Sequence, residues 1–310
     1  MISNLLRRSR AALAVTVATG ALLTVASPAQ AASAPPTTAA SAFVMNASTG
    51  ATLTSKLGDV KREGASTTKI MTALVVLTRT GLDLDKKVTI QQEHLNYVAR
   101  EGASSAYLKA GAKPTVRQLL YAMMLPSGCD AAYALADTFG QGSTRAARVQ
   151  SFISKMNTKA KDLGMTNTHY DTFDGISRGN NHITARDLAK LTRAAMRYTN
   201  FKAIVKTTAY SSGGTSTVAT WKNTNLLIQP RPTGYGIPGA IGVKTGTGTA
   251  AGKCIVFAAT RNGKTVIGVL LKDEERYADA IKLIDWAAGP ATTSSLQRSA
   301  TTEPIPDVLD

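Results

Sequence analysis

The stretch IGVKTGTGTAAGKCIVFAATRNGKTVIGVLL, residues 241–271, decides the fold class. Asn262-Gly263 stands between two apolar runs, and an Asn-Gly pair in that setting is a strong signal of a tight β-hairpin. The runs predict strands over 254–260 and 265–271, and the shorter apolar run before them predicts a strand over 240–244. Upstream, 43–46 and 51–54 flank a turn through 47–50 and read as a second hairpin. Residues 70–77 are nearly all apolar after a Ser/Thr-rich start, which predicts a buried helix beginning near Ser66. From about 116 to 197 helical patterning dominates, over 116–125, 130–139 and the long 143–163, and a last helix is expected over 277–287. Strands at both ends with helices between them point to an antiparallel sheet interrupted by a helical insertion, an α/β (α+β) architecture. The expected division is an α/β part over 43–92 and 196–290 with an all-helical part over 93–195.

The two ends read differently. Arg7, Arg8 and Arg10 precede an apolar, small-residue core over 11–25, and Ala29-Gln30-Ala31 has the form of an export cleavage site. Residues 1–31 therefore read as a signal peptide, and the protein as secreted and associated with the cell wall. Arg7-Arg8 alone fits twin-arginine export only loosely, so general secretion is expected. The stretches 32–42 and 291–310 are rich in Pro, Thr, Ser and Ala, offer no helical apolar face, and are expected to be flexible, with no C-terminal membrane anchor. Loss of 1–31 removes three arginines and no acid, leaving 33 basic and 20 acidic residues and a net charge of +13. Such a chain is drawn to polyanions. Aromatics are 5% of residues and no zinc-finger spacing occurs, so nucleic acid is not the expected partner. Anionic cell-wall polymers or wall-peptide carboxylates suit an exported protein better. Cys129 and Cys254 are the only cysteines. Export permits a disulfide, but one lies inside a motif and the other in a predicted central strand, so no bridge is expected.

Three short segments carry chemistry: Ser66-Thr67-Thr68-Lys69, Ser127-Gly128-Cys129 and Lys244-Thr245-Gly246. Ser66 and Lys69, three apart, share one helix face. A serine hydroxyl becomes a good nucleophile when a neighbouring base takes its proton, and a lysine serves as that base when neutral. Partial burial and a second ammonium, for which Lys244 is the candidate, both favour the neutral form. Lys244 and Thr245 at a strand edge suit a substrate carboxylate, and Gly246 lets an acyl group approach the backbone. The N–H groups of Ser66 and Thr247 are candidates for an oxyanion hole. Ser127, in a break between helices, can relay a proton between Lys69 and a leaving amine. Cys129 reads either as a substrate-anchoring position or as a small buried hydrophobe.

Competing constellations are poorer. His94, His169 and His182 share no metal-ligand spacing, and neither metal nor cofactor is expected. Gly246 to Lys253 has the wrong spacing for a nucleotide loop. Gly175-Ile176-Ser177-Arg178-Gly179 matches a nucleophile elbow in letters, but its polar surroundings predict a loop.

The three motifs, in this order, resemble the Ser-x-x-Lys, Ser-x-Asn and Lys-Thr-Gly set of the penicillin-recognising serine enzymes. The runs GASTTKIMTALVVL (64–77), LPSGCDAAYALAD (125–137), NTHYDTFDG (167–175), HITARDLAKL (182–191), WKNTN (221–225) and 241–271 look like low-molecular-mass penicillin-binding proteins, the serine-type D-alanyl-D-alanine carboxypeptidases. The similarity covers roughly 43–288. It implies a five-stranded antiparallel sheet flanked by helices beside an all-helical subdomain, with the site between them. It also implies acylation of Ser66 by D-Ala-D-Ala-terminated peptidoglycan stem peptides and by β-lactams, with water or an amine accepting the acyl group. Cys129 stands where the usual motif has Asn, a variant that resembles a transpeptidase subgroup. A class A β-lactamase shares the fold but needs a deacylating Glu, and none lies between Ser127 and Lys244. A weakly catalytic wall-peptide binder is the remaining alternative.

Overall fold

The computed structural model describes residues 33–290, so the expected signal peptide over 1–31 and tail over 291–310 lie outside the described residues. Residues 34–290 belong to one compact unit. Its centre is a five-stranded sheet of β1 (Ser41–Asn46), β2 (Thr52–Lys56), β5 (Ala240–Gly248), β6 (Gly252–Arg261) and β7 (Lys264–Leu271). The order is β2-β1-β7-β6-β5, antiparallel throughout. Short β3 (Ala209–Ser211) and β4 (Thr220–Lys222) pair separately.

Successive side chains on a strand point to opposite faces, and here both faces are buried. Phe43, Met45, Val256, Ala258, Ile267 and Val269 join one apolar core. Their neighbours Val44, Ile255, Phe257, Val266 and Leu270 join a second core with Tyr277, Leu283 and Ile284 of the last helix, α8 (Arg276–Ala288). This double burial explains the unbroken apolar runs in the sequence. Gly268 is required by packing, because a Cβ there would stand 2.0 Å from the Phe257 ring on the paired strand.

The larger core is built on α1 (Lys69–Leu77), every residue of which is buried. Around it stand α3 (Val116–Met124), α4 (Cys129–Phe139), α5 (Arg145–Asp162), α6 (Ala185–Ala195) and α7 (Thr199–Lys206), while α2 (Gln92–Glu101) packs on α4. Thr115 and Gln118 form a reciprocal capping box at the start of α3, with bonds of 3.1 and 2.9 Å. Thr144 and Thr184 cap α5 and α6 through hydroxyls that accept from backbone N–H groups.

Three expectations need correction. Ser66 lies in a separate 3-10 turn, Ala65–Thr68, rather than in the first turn of the α-helix that follows. β5 does not end at Lys244 but continues through Gly248, because Thr245, Gly246 and Thr247 go on pairing with Ile255, Cys254 and Lys253. The expected flexible leader is tied down at its end. Thr38 N–H and Oγ1 donate to Asp279 and Asp273, each at 2.6 Å, and Ser41 already belongs to β1.

Candidate active site

The 3-10 turn sets the first contact of the site. With three residues per turn, side chains at i and i+3 eclipse one another, and Lys69 Nζ lies 2.7 Å from Ser66 Oγ. The same nitrogen lies 3.3 Å from Ser127 Oγ, so one buried lysine bridges two buried hydroxyls. Ser127 reaches it from the α3–α4 break in a left-handed backbone conformation, φ +66°, which is costly for a residue with a Cβ. Its loop is held by Ser104 Oγ, which donates to Ser127 O at 2.7 Å, and by Gly128 N–H, which donates to Ala122 O at 3.1 Å.

β5 forms the opposite wall. It is one of the two edge strands of the sheet, and it presses so closely on the serine turn that a Cβ on Gly246 would stand 2.8 Å from Gly64 O and 3.2 Å from Ser66 N. Lys244 is buried, and its ammonium donates to Thr245 O at 3.0 Å. Thr245 Oγ1 lies 2.9 Å from Thr224 Oγ1. Arg276 of α8 supports the strand from behind, donating to Thr247 Oγ1 at 3.0 Å, Gly246 O at 3.2 Å and Cys254 O at 3.3 Å.

Between these walls lies a cavity of about 550 Å³, lined among others by Ser66, Ser104, Cys129, Thr247 and Glu101. A loop closes one side. Gly175, at φ +99°, sits so tightly on the serine turn that a Cβ would be 1.9 Å from Ala65 O. Beyond it Ile176, Ser177 and Gly179 face the cavity, so the Gly-x-Ser-x-Gly segment is a loop wall and not an elbow. Arg178 fastens the loop by two bonds of 3.1 Å to Glu101. The fold thus brings Glu63 and Glu101 to the rim, which chain order did not suggest. Hydrogen bonds from Arg178, with Arg100 adding to them, hold the Glu101 carboxyl below its ordinary pKa.

Cys129 is 1% exposed, with Sγ 3.7 Å from Ser104 Oγ and 3.9 Å from Ser127 O. Burial pushes its thiol up to about 12, with nearby Lys69 pulling weakly the other way, so it stays a neutral thiol. Cys254 is a second buried thiol and, like Cys129, is not in a disulfide. Among the described residues no group of His, Cys, Asp and Glu forms a metal site. Ser104, Thr224, Arg276 and Gly175 escaped sequence reasoning. The runs WKNTN and NTHYDTFDG, carried by resemblance, covered Thr224 and Gly175 without assigning either a role.

A buried lysine within hydrogen-bond reach of two serine hydroxyls, beside a polar strand edge and next to a cavity lined by one of those serines, is an arrangement suited to acyl transfer. Comparison with known proteins agrees. Residues 28–275 match the D-alanyl-D-alanine carboxypeptidase family, and the chain belongs to it. It is 50% identical over 292 residues to the D-alanyl-D-alanine carboxypeptidase of Streptomyces sp. strain K15, covering 90% of this chain and 98% of that one. It is 34% identical to DacB2 of Mycobacterium tuberculosis, over 78% of this chain and 80% of that one. The crystal structure of the Streptomyces K15 DD-transpeptidase superposes with a TM-score of 0.77 at 52% identity, covering 82% of this chain and 98% of that one. The protein is a serine DD-peptidase, of a family that acts on peptidoglycan peptides and binds β-lactams.

Proposed function

We propose that Ser66 is the residue acylated by D-Ala-D-Ala-terminated stem peptides, with Lys69 as its base. The observation that carries this reading is the single Lys69 nitrogen within 2.7 Å of Ser66 Oγ and 3.3 Å of Ser127 Oγ. Lys69 takes the Ser66 proton as Oγ attacks the penultimate D-Ala carbonyl. The tetrahedral oxyanion is received by the N–H groups of Ser66 and Thr247. Ser127 passes the proton to the leaving D-Ala nitrogen, the C–N bond breaks and an acyl-enzyme remains. Lys244 and Thr245 hold the terminal carboxylate, and Gly246 leaves room for the acyl chain. The strained backbone of Ser127 supports this role, since such outliers cluster at functional sites.

Water or a peptide amine then takes the acyl group, giving carboxypeptidase or transpeptidase activity. Cys129 favours the amine. A neutral, buried thiol is a weak hydrogen-bonding partner, so a deacylating water is poorly held beside it. A β-lactamase reading has little support, because Glu101 is already bound by Arg178 and Arg100 and is a poor base. We also propose export by the general route, with work at the wall as an enzyme of peptidoglycan maturation. N-terminal sequencing of the secreted protein should then begin at Ala32.

The test is D-Ala release from a D-Ala-D-Ala peptide with and without a glycine-type acceptor. The reading expects release that Ser66→Ala abolishes, with aminolysis product exceeding hydrolysis at millimolar acceptor. Release retained in Ser66→Ala would contradict the assignment of the nucleophile.

A further inference from the structure

A second cavity, of about 730 Å³, opens at the other end of β5. Ile241 lines it and Thr247 lines the Ser66 cavity. Six steps along the strand separate them, about 20 Å. The floor is apolar: Met45 and Ile267 are buried, and Met196 and Ile241 are half-buried. Lys190, Arg193, Arg197 and Lys202 surround it, and among the described residues that line it there is neither a carboxylate nor an aromatic ring.

The four cations are not equivalent. Lys190 Nζ donates to Gly164 O at 2.7 Å and to Asp187 Oδ1 at 3.0 Å. Arg193 is fixed by bonds to Ala47 O and Ser48 O at 2.8 and 2.7 Å, with Gly50 leaving space beside its Nη1. Arg197 and Lys202 are exposed, and among the described residues their head groups have no hydrogen-bond or ion-pair partner. A concave wall carrying charge of one sign focuses the field and concentrates anions.

We infer that this cavity binds a phosphodiester polymer of polyol units. Guanidinium groups match phosphate oxygens in a fork geometry, and the apolar floor suits the polyol carbons between successive phosphates. A bilayer does not fit, since it is flat while the apolar side chains lie at the bottom of a concavity. Nucleic acid does not fit either, because no aromatic platform is there to stack a base. The separation from Ser66 lets the enzyme hold the polymer with its catalytic cleft open.

The test is titration of the full protein with short synthetic poly(glycerol phosphate). The double variant Arg197→Glu/Lys202→Glu is compared with Arg197→Gln/Lys202→Gln, with thermal unfolding to show that both are folded. We expect roughly tenfold or greater loss of affinity in both, and a salt dependence shallower by about 1.4 in log–log slope for two lost phosphate contacts. D-Ala release should not change. Unchanged affinity would overturn the site, leaving only the diffuse net charge. Equal, variant-sensitive binding of oligothymidylate, or of phosphatidylglycerol vesicles, would overturn the polyol-phosphate assignment.

Discussion

Lys69 is wholly buried with two hydroxyls at its nitrogen, and the proposed chemistry concentrates there. Lys69→Ala should lower the rate of acylation by about 10³-fold or more, since it removes the base. Lys253→Ala, on the neighbouring strand and bonded to Glu274 O, should leave that rate within about twofold, as expected of a side chain outside the machinery. Rapid-quench acylation rates for both check this. Cys129 gives a second prediction. Burial raises its pKa and leaves the thiol 1% exposed, so native protein should alkylate very slowly with iodoacetamide at pH 8. Denatured protein should label at both cysteines. Fast labelling of native Cys129 at pH 8 would show that the thiol is neither buried nor neutral. The meeting of Ser66 with Lys69 was legible in the sequence because a three-residue spacing puts both side chains on one face of a turn. Ser104, Thr224 and Arg276 were not, because each acts through a partner more than twenty positions away.

Elements meet at points with no spare volume, and Gly175 is one of them. Gly175→Ala forces a Cβ onto Ala65 O at φ +99° and should move the loop off the serine turn. The expected loss is about 2–4 kcal/mol of stability with slower acylation, read by thermal unfolding and acylation rate together. Asp137 ties α4 to α5 and to α2 through Arg145, Arg148 and His94 at 3.1, 2.6 and 3.3 Å. Burial works to raise its pKa, but those hydrogen bonds outweigh it and bring it down to about 2 from 3.8. A depressed carboxylate stabilises the fold above pH 3.8, and that stability is lost as pH falls through about 2. The amount is about 2 kcal/mol, so Asp137→Asn should flatten the fall in Tm over that window. An unchanged fall would assign it to other carboxylates. The long strands and helices were legible because burial on two faces, or one, leaves a periodic imprint. Residues 199–206 bury Phe201, Ile204 and Val205 at helical spacing, but over about two turns only, and the three-residue β3 and β4 are shorter still. The 3-10 turn has the same letters as a helix start, and tight packing of β5 and Gly175 against it accompanies the difference.

At the scale of the whole molecule, one apolar core runs from Phe43 through the helices to Leu271. The proposed all-helical part, 93–195, therefore shares its core with the sheet. We expect a single cooperative unfolding transition, and separate calorimetric transitions for helices and sheet would contradict it. The fold class was legible because a hairpin signal and two apolar strands survive any reading of the rest. The sheet order was not, since register depends on contacts across more than two hundred residues. The most direct test of the central claim is the intact mass of the protein after brief exposure to benzylpenicillin, with peptide mapping of the product. The account predicts one penicilloyl adduct, on Ser66, absent in Lys69→Ala. An adduct elsewhere, or antibiotic left intact by folded protein, would contradict it.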